Sequence, residues 1–237
     1  MTQVKKGVLY GVGVGPGAPD LMTLRAARLI ETATVIAYPT LAGAASFARS
    51  IAAGLFPAGV TEIVMDVPMT PDREPAQQAY DLGAAQIAVA LDQGQDVICL
   101  CEGDPFFYGS FMYIHARLFP RYTIEIVPGI TSVSACAAVA NLPLVARNER
   151  LTILPGPSPV AELRAEIDRA ETVVIMKVGR HLPKIRAVID ALGLTDQAVY
   201  FERATLVDQV VLPLADAPEM APYFSMILLT KGADPWL

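Results

Sequence analysis

Hydrophobic and polar positions in the first half of the chain follow two alternating periods. Short apolar runs that are typical of buried strands occupy residues 7–13, 34–38, 62–67 and 96–101. Apolar side chains at helical spacing occupy residues 21–33, 44–53, 76–93 and 110–118. We expect Thr23 or Asp20 to cap the first helix and Pro39 to end the second strand. Strands that alternate with helices predict βαβ units and a mainly parallel sheet.

The alternation changes after residue 118, where Pro120 interrupts it. Expected strands, the second of which includes a turn, occupy residues 122–127, 147–155, 172–176, 198–202, 208–212 and 225–230. Expected helices occupy residues 132–140, 159–170 and 181–192. Late strands with few helices between them predict a mixed sheet with antiparallel hairpins, and so a second domain. We place the boundary near residues 119–122, which gives an N-terminal α/β domain over residues 1–119 and a C-terminal α/β domain over residues 120–237.

Composition narrows the class of protein. The chain has 237 residues, 53% of them hydrophobic, so it can bury a sizeable core. Its net charge of −6 argues against a general nucleic-acid binder, although a small ligand in a locally basic cleft remains compatible. The longest charge-free stretch, residues 126–146, is interrupted by two prolines and a glycine, so we expect no membrane span. The glycine-rich start of the chain does not fit a signal peptide.

The three cysteines and two histidines do not form a metal-binding pattern, and we expect no metal site. Cys99 and Cys101 stand two apart in an expected strand and therefore share a face, while Cys136 lies in an expected helix. A sparse, odd number of cysteines fits a reducing cytosol. We therefore expect core thiols in a cytoplasmic protein.

The rest of the chain is organised around residues 102–109 (EGDPFFYG), which connect an expected strand to an expected helix. Pro105 fixes its own φ and pushes Asp104 toward an extended backbone, while Gly103 lets another molecule approach the main chain. Ligands of open α/β sheets bind at the carboxyl ends of strands, and two phenylalanines here supply a wall. The alternative is a purely structural turn with its aromatic side chains in the core.

A second turn, residues 13–18 (GVGPGA), follows the first expected strand and fits the dinucleotide-binding pattern. Dinucleotide sites also need an acidic residue at the end of the second strand to hold the ribose. Here that strand ends in residues 37–40 (AYPT), which include no acid. A nicotinamide cofactor is therefore disfavoured, and a glycine-rich turn with only a structural role stays open.

Five motifs in order give the chain its family resemblance, and they extend over nearly its whole length. They are residues 13–17 (GVGPG), 103–105 (GDP), 127–132 (VPGITS), 173–176 (VVIM) and 201–205 (FERAT). Together they resemble the tetrapyrrole methylases, which methylate uroporphyrinogen and corrin precursors with S-adenosylmethionine. Residues 9–17, the Tyr38-Pro39 step and residues 101–110 are most similar to the members that methylate precorrin-2 at carbon 20. Uroporphyrinogen methylases of the family carry an Asp, assigned to proton handling, where Pro39 stands.

The resemblance implies the tetrapyrrole methylase fold, which has two α/β domains with a cofactor cleft between them, and it implies a homodimer. It also implies S-adenosylmethionine as cofactor, with contacts from Pro16, Glu102, Gly103, Asp104, Phe107, Thr131, Ser132, Met176 and Ala204. These residue types suit the ligand. Backbone donors at Gly103 and at the Thr131-Ser132 helix start favour a carboxylate, and Asp104 can accept from ribose hydroxyls or an ammonium.

The implied substrate is a tetrapyrrole, precorrin-2, with eight carboxylates, and an acidic protein must meet it with local positive charge. Our candidates for binding those carboxylates are Arg147, Arg150, Arg180 and Lys184. Residues 69–80 are a candidate mobile edge. Methyl transfer from a sulfonium needs mainly positioning and exclusion of water, so a dedicated base is optional. Glu102 and Tyr108 are the candidate catalytic helpers.

Several alternatives remain open from the sequence. The substrate can be the cobalt-bearing macrocycle, factor II of the anaerobic route, because the metal would sit in the substrate rather than in a protein site. The chain can be a non-catalytic tetrapyrrole carrier or sensor, which would have no need of a donor site. It can also be a relative that acts on RNA or a protein side chain, although the acidic charge disfavours RNA.

Overall fold

The computed structural model describes residues 5–41, 43–68 and 72–233. The chain divides into two compact units, the first ending at Thr131 and the second beginning at Ser132.

The first unit is a five-stranded parallel sheet covered by helices. Its strands β1 to β5 are Val8–Gly13, Val35–Leu41, Thr61–Val67, Val97–Cys101 and Thr123–Val127. Its helices α1 to α4 are Leu24–Glu31, Phe47–Ala52, Glu74–Asp92 and Phe111–Leu118. The strand order is β3-β2-β4-β1-β5, and every pairing in it is parallel. The parallel sheet expected from the alternating pattern is confirmed.

The central strand β4 is buried along its whole length and divides the core of this unit in two. Val97, Cys99 and Cys101 pack on the side of α3 and α4, while Ile98 and Leu100 pack on the side of α1 and α2. A strand buried on both faces reads as a continuous apolar run, which is the pattern of residues 97–101. Cys99, Cys101 and Cys136 are buried free thiols, as the sequence predicted.

Two helix boundaries are set by hydroxyl caps. Thr23, and not Asp20, caps α1, where its Oγ1 accepts a hydrogen bond from the Ala26 amide at 3.2 Å. The expected start at residue 21 therefore moves to Leu24. Ser46 caps α2 in the same way, accepting from the Arg49 amide at 3.3 Å, so that this helix begins at Phe47 rather than at residue 44.

Strand β2 continues through Pro39 to Leu41, so the prediction that Pro39 ends it is wrong. β2 pairs with β4 only over residues 35–37, whereas its pairing with β3 continues to Leu41. Pro39 thus lies where one flank of the strand has no partner strand. The missing N–H is tolerated there because an edge position does not require the donor.

The expected mobile edge at residues 69–80 falls partly outside the described residues, which omit 69–71. From Glu74 onward the same stretch forms the start of α3, and Tyr80 is buried. Within the described parts of the chain, no helix has the length and apolar character that crossing a bilayer requires.

The boundary expected after residue 119 falls inside the first unit. β5 pairs in parallel with β1, from Val8 opposite Thr123 to Val12 opposite Val127. The strand that we assigned to the second domain therefore completes the first sheet. The chain order did not reveal this, because β5 follows α4 in sequence but passes β4 to pair with β1.

The second unit contains a mixed five-stranded sheet. Its strands β6 to β10 are Leu151–Pro155, Thr172–Met176, Ala198–Glu202, Val210–Pro213 and Ser225–Thr230. Its helices α5 to α7 are Ser132–Val139, Val160–Arg169 and Leu182–Ala191. The order is β6-β7-β10-β8-β9, with β6 parallel to β7 and the other pairings antiparallel. The predicted mixed sheet with antiparallel strands is confirmed.

A hydrogen-bonded ion pair ties α2 to the edge of the first sheet. Arg49 donates to both carboxylate oxygens of Glu62, from Nε at 2.6 Å and from Nη2 at 2.9 Å, and the Tyr38 hydroxyl donates to Glu62 at 2.5 Å. These donors stabilise the ionised carboxylate and lower the pKa of Glu62 to about 2.

We predict that Glu62→Gln destabilises the protein in a pH-dependent way. Because the folded pKa lies below the ordinary value of 4.5, the stabilisation is complete above about pH 4.5 and is lost as pH falls through about 2. Both side chains are partly exposed, so we expect a loss of about 1 kcal/mol at pH 7. Urea unfolding at pH 7 and pH 3 measures it, with Glu31→Gln on the exposed side of α1 as control. An equal loss at both pH values would contradict the ion-pair explanation.

Candidate active site

Three turns meet at the carboxyl edge of the first sheet. The strand order places β1 between β4 and β5, and all three strands run in the same direction. The turns that follow them, residues 14–17, 102–109 and 128–131, must therefore be neighbours. The glycine-rich, Gly-Asp-Pro and Pro-Gly-Ile-Thr motifs of the sequence are thus brought together, where ligands of parallel sheets bind.

The first two turns are joined by backbone hydrogen bonds. The Gly103 amide donates to the Gly15 carbonyl at 2.8 Å, and the Gly15 amide donates to the Gly103 carbonyl at 3.2 Å. Both residues have positive φ, +83° at Gly15 and +60° at Gly103, a conformation that side chains disfavour. The half-buried Pro16, an expected donor contact, lies directly beside this bridge.

The Gly103 carbonyl is also where three backbones pack without room for a side chain. A Cβ added to Gly129 would lie 1.9 Å from this oxygen, and a Cβ added to Gly13 would lie 2.5 Å from it. Non-bonded atoms do not approach each other to these distances. Glycine at positions 13 and 129 is therefore required by the approach of the turns.

The carboxylate of Asp104 fastens the third turn to the second. Its Oδ1 accepts from the amides of Phe106 at 2.9 Å and Phe107 at 3.1 Å. Its Oδ2 accepts from the Gly129 amide at 3.1 Å. We expected this side chain to meet a ribose or an ammonium, but these bonds make it first a positioning residue for the site.

Glu102 is an acidic residue at this edge whose surroundings change the pKa of its side chain. Its side chain is half-buried, and burial raises the pKa of its carboxyl, although its own amide and that of Ala48 partly oppose the shift. Ala48 lies in the first turn of α2, whose cap Ser46 donates to the Pro39 carbonyl at 2.7 Å. The carboxyl ends of β2 and β4 therefore share one environment.

Space for a ligand is open in front of Gly103. A Cβ there would meet only the Ile130 carbonyl, at 3.8 Å, so another molecule can approach the backbone closely. The half-buried Phe107 ring stands 5.4 Å from that of Tyr108, which is 44% exposed and has a φ of 55°. This open backbone beside aromatic rings and a carboxyl group fits a ligand with both polar and apolar parts, such as S-adenosylmethionine.

The second unit has a comparable edge of its own. β7 and β8 both pair antiparallel with β10, so they run in the same direction and their carboxyl ends lie at one edge. Met176 ends β7, and Ala204 lies in the turn after β8. Both are half-buried, which suits apolar contact with a ligand. Of the remaining expected contacts, Thr131 ends the first unit and Ser132 begins α5.

The expected carboxylate-binding cations are only partly brought together. Arg180 follows β7, and Lys184, in the first turn of α7, donates to the Ser158 carbonyl at 2.6 Å in the turn after β6. Burial, together with the charges of Lys184 and Arg180, lowers the pKa of His181, which lies between them in sequence. Arg150 lies at the opposite edge, where it pairs with Glu171 at 3.4 Å, and Arg147 is an exposed residue of the turn before β6.

Sequence reasoning did not single out Gly13, Gly129 or Ser46 as individual site residues. Gly129 lies inside a motif that we recognised, so a search for glycines in the turns after parallel strands would have found it. The Ser46 contact with Pro39 had no sequence signal, because it depends on where α2 lies against β2.

Comparison with known proteins assigns this chain to one family. Residues 8–218 match the family model of tetrapyrrole (corrin/porphyrin) methylases. A precorrin-2 C(20)-methyltransferase of Sinorhizobium sp is 41% identical, covering 99% of both chains. A cobalt-precorrin-2 C(20)-methyltransferase of Salmonella typhimurium is 30% identical, covering 95% of this chain and 97% of its own.

A solved structure extends the likeness to the fold and the cofactor. The uroporphyrin-III C-methyltransferase of Thermus thermophilus, complexed with S-adenosyl homocysteine, superposes with a TM-score of 0.68 and 26% identity. The match covers 94% of this chain and 97% of the other. The predicted resemblance, the two α/β domains and the methyl donor of the family are confirmed.

We predict that Gly129→Ala disrupts the junction of the three turns. The added methyl would overlap the Gly103 carbonyl, so the turns must separate, at a cost of about 2–4 kcal/mol in the free energy of unfolding. Gly54→Ala is the matched control, since a Cβ there meets nothing within 4 Å. Thermal unfolding of both variants measures the difference. Equal unfolding temperatures would show that the three turns are not closely packed.

Proposed function

Because the chain belongs to the tetrapyrrole methylase family, we propose that it transfers a methyl group from S-adenosylmethionine to carbon 20 of precorrin-2. The product would be precorrin-3A, an intermediate of cobalamin biosynthesis. The observation that carries this proposal is the full-length likeness to a precorrin-2 C(20)-methyltransferase, in a chain whose carboxyl-edge turns leave the backbone open at Gly103. The same transfer to the cobalt-bearing macrocycle is the second candidate, favoured by the 30% identity to the cobalt-precorrin-2 enzyme.

The proposed donor contacts are the residues expected from the sequence. In the first unit, Gly103 supplies open backbone, Phe107 an aromatic surface and Pro16 a rigid turn, while Asp104 holds the turns in place. In the second unit, Met176 and Ala204 supply apolar contacts at the ends of β7 and β8, and Ser132 opens α5. Bound donor would supply an electrophilic methyl with a neutral thioether leaving group.

Proton handling is assigned to Glu102. Methylation of carbon 20 forms a carbon–carbon bond with an electron pair of the macrocycle, and the proton on carbon 20 can then leave to restore conjugation. A carboxylate whose pKa is raised by burial is a stronger base than an ordinary one and is suited to accept that proton. Tyr108 is the weaker candidate, because it is more exposed.

Substrate carboxylates would meet Arg180 and Lys184, which lie at the carboxyl edge of the second sheet. Arg147 and Arg150 are left out of this proposal because both precede β6, toward the other edge of the sheet, and Arg150 pairs there with Glu171.

We also propose a homodimer in the cytoplasm. Met112, Tyr113 and Phe119 are exposed on and just after α4, and such apolar surface is common where proteins associate. Light scattering should give twice the chain mass of 25.3 kDa, and cell fractionation should recover the protein with cytosolic enzymes. A mass of one chain, or recovery with membranes, would contradict this part.

The test of the function is incubation of the protein with precorrin-2 and methyl-labelled S-adenosylmethionine. We expect one labelled methyl per macrocycle, located on carbon 20 by mass and NMR. Cobalt-loaded substrate in a parallel reaction distinguishes the second candidate, which predicts faster turnover of that substrate. Binding of S-adenosyl homocysteine without turnover of either macrocycle would favour another acceptor.

We predict that Glu102→Gln lowers kcat by about 10²-fold or more, the range for removing a general base. A base must be ionised to act, so wild-type activity should fall as pH drops through the raised pKa of Glu102, and this acid limb should disappear in the variant. Tyr108→Phe is the parallel control and should retain most activity. Full turnover in both variants would show that neither Glu102 nor Tyr108 accepts the proton.

A further inference from the structure

Two strained turns of the second unit hold two of the proposed donor contacts, Met176 and Ala204, in place or directly adjoin them. The turn 177–179 follows Met176, and the turn 203–205 contains Ala204. Lys177, Arg203 and Thr205 have φ values of 55°, 46° and 73°, in the left-handed region that residues with a Cβ disfavour by about 1–2 kcal/mol. Such conformations persist only where the surrounding structure fixes them, and they concentrate at functional sites.

Both turns are held by the same short segment, residues 222–225, which leads into β10. The Arg203 amide donates to the Phe224 carbonyl at 3.0 Å. The Gly179 amide donates to the Ser225 hydroxyl at 3.2 Å, and that hydroxyl donates to the Pro222 carbonyl at 2.7 Å. One segment thus fixes the ends of β7 and β8 relative to each other.

The Ser225 hydroxyl is the centre of this arrangement. The residue is only 8% exposed, and its hydroxyl accepts from the Gly179 amide while it donates its single proton to the Pro222 carbonyl. The Tyr200 hydroxyl donates to Glu202 at 2.8 Å, and Glu202 pairs with Arg203 at 3.0 Å. The fully buried Tyr200 thus holds Glu202 and, through it, Arg203 at the start of the turn after β8, while Ser225 holds the turn after β7.

We propose that Ser225 is a positioning residue for donor binding, whose hydroxyl fixes the turn 177–179 against the turn 203–205 so that Met176 and Ala204 keep a constant separation. This inference rests on the proposed function, since it assumes that those two residues contact the donor. Tyr200 supports the turn 203–205 from within the core, through its hydrogen bond to Glu202 and the pairing of Glu202 with Arg203. Neither side chain needs to touch the donor itself.

Calorimetric titration with S-adenosyl homocysteine tests the inference. Ser225→Ala leaves the Gly179 amide and the Pro222 carbonyl without their partner, and we expect Kd to rise about 5- to 30-fold. Tyr200→Phe removes one hydroxyl, and we expect a rise of about 2- to 5-fold. Ser225→Thr keeps the hydroxyl, and Kd should recover to within about threefold of wild type.

Thr172→Val is the matched control. It also removes a buried hydroxyl from this sheet, but at the other end of β7, and within the described part of the chain the Thr172 oxygen has no hydrogen-bond partner. Its Kd should stay within about twofold of wild type. Unchanged affinity in Ser225→Ala would overturn the proposal, as would an equal loss in Thr172→Val. If Ser225→Ala does not fold, unchanged affinity in Ser225→Cys, whose thiol is only a weak hydrogen-bonding group, would overturn it.

Amide hydrogen exchange at Gly179 in donor-free protein separates this inference from the proposed function. Exchange should accelerate in Ser225→Ala and not in Thr172→Val, whether or not the protein is a methyltransferase. Absence of S-adenosyl homocysteine binding to the wild-type protein would refute the proposed function. Exchange at Gly179 that is equally fast in wild type and Ser225→Ala would refute the positioning role alone.

Discussion

Close backbone packing around the Gly103 carbonyl is the constraint on which the candidate site depends. Gly13 and Gly129 approach this oxygen from the two neighbouring strand ends, and Gly15 pairs with Gly103 through two hydrogen bonds. Three turns can meet this closely only when their contacting residues lack side chains. Asp104 then replaces the missing side-chain contacts by accepting two amide hydrogen bonds within its own turn and one, from Gly129, across the junction. The open face of Gly103 follows from that rigid arrangement.

The turns that follow the strands are held together differently in the two units. In the first, parallel neighbours bring turns together directly, and glycines let them touch. In the second, β10 runs against β7 and β8, so its own beginning lies at the edge where those strands end. The segment before β10 is therefore available to hold both turns. Arg203 can then occupy a left-handed position, because the hydrogen bond from its amide to the Phe224 carbonyl holds it there.

Much of this organisation could be predicted from residues close together in sequence. Local patterns include the continuous apolar run of β4, the alternation of strands and helices, and the glycine turns. The order of five short motifs along the chain indicated the family. Predictions failed where the local structure depends on residues that are distant in sequence. Pro39 is accepted within β2 because β4 pairs with only part of that strand, and β5 joins the first sheet because it passes β4 to pair with β1. The same holds for the site, since the contacts of Asp104 with Gly129 and of Ser225 with Gly179 depend on strand order and register.

Burial of all three cysteines has a consequence for the chemistry of the purified protein. Burial raises the pKa of Cys99, Cys101 and Cys136, so very little thiolate is present in the folded chain at neutral pH. Alkylating reagents and peroxide react with thiolate, and they can reach these sulfurs only when the chain opens. The rate of cysteine labelling is therefore a natural reporter of opening in both units, without any introduced probe.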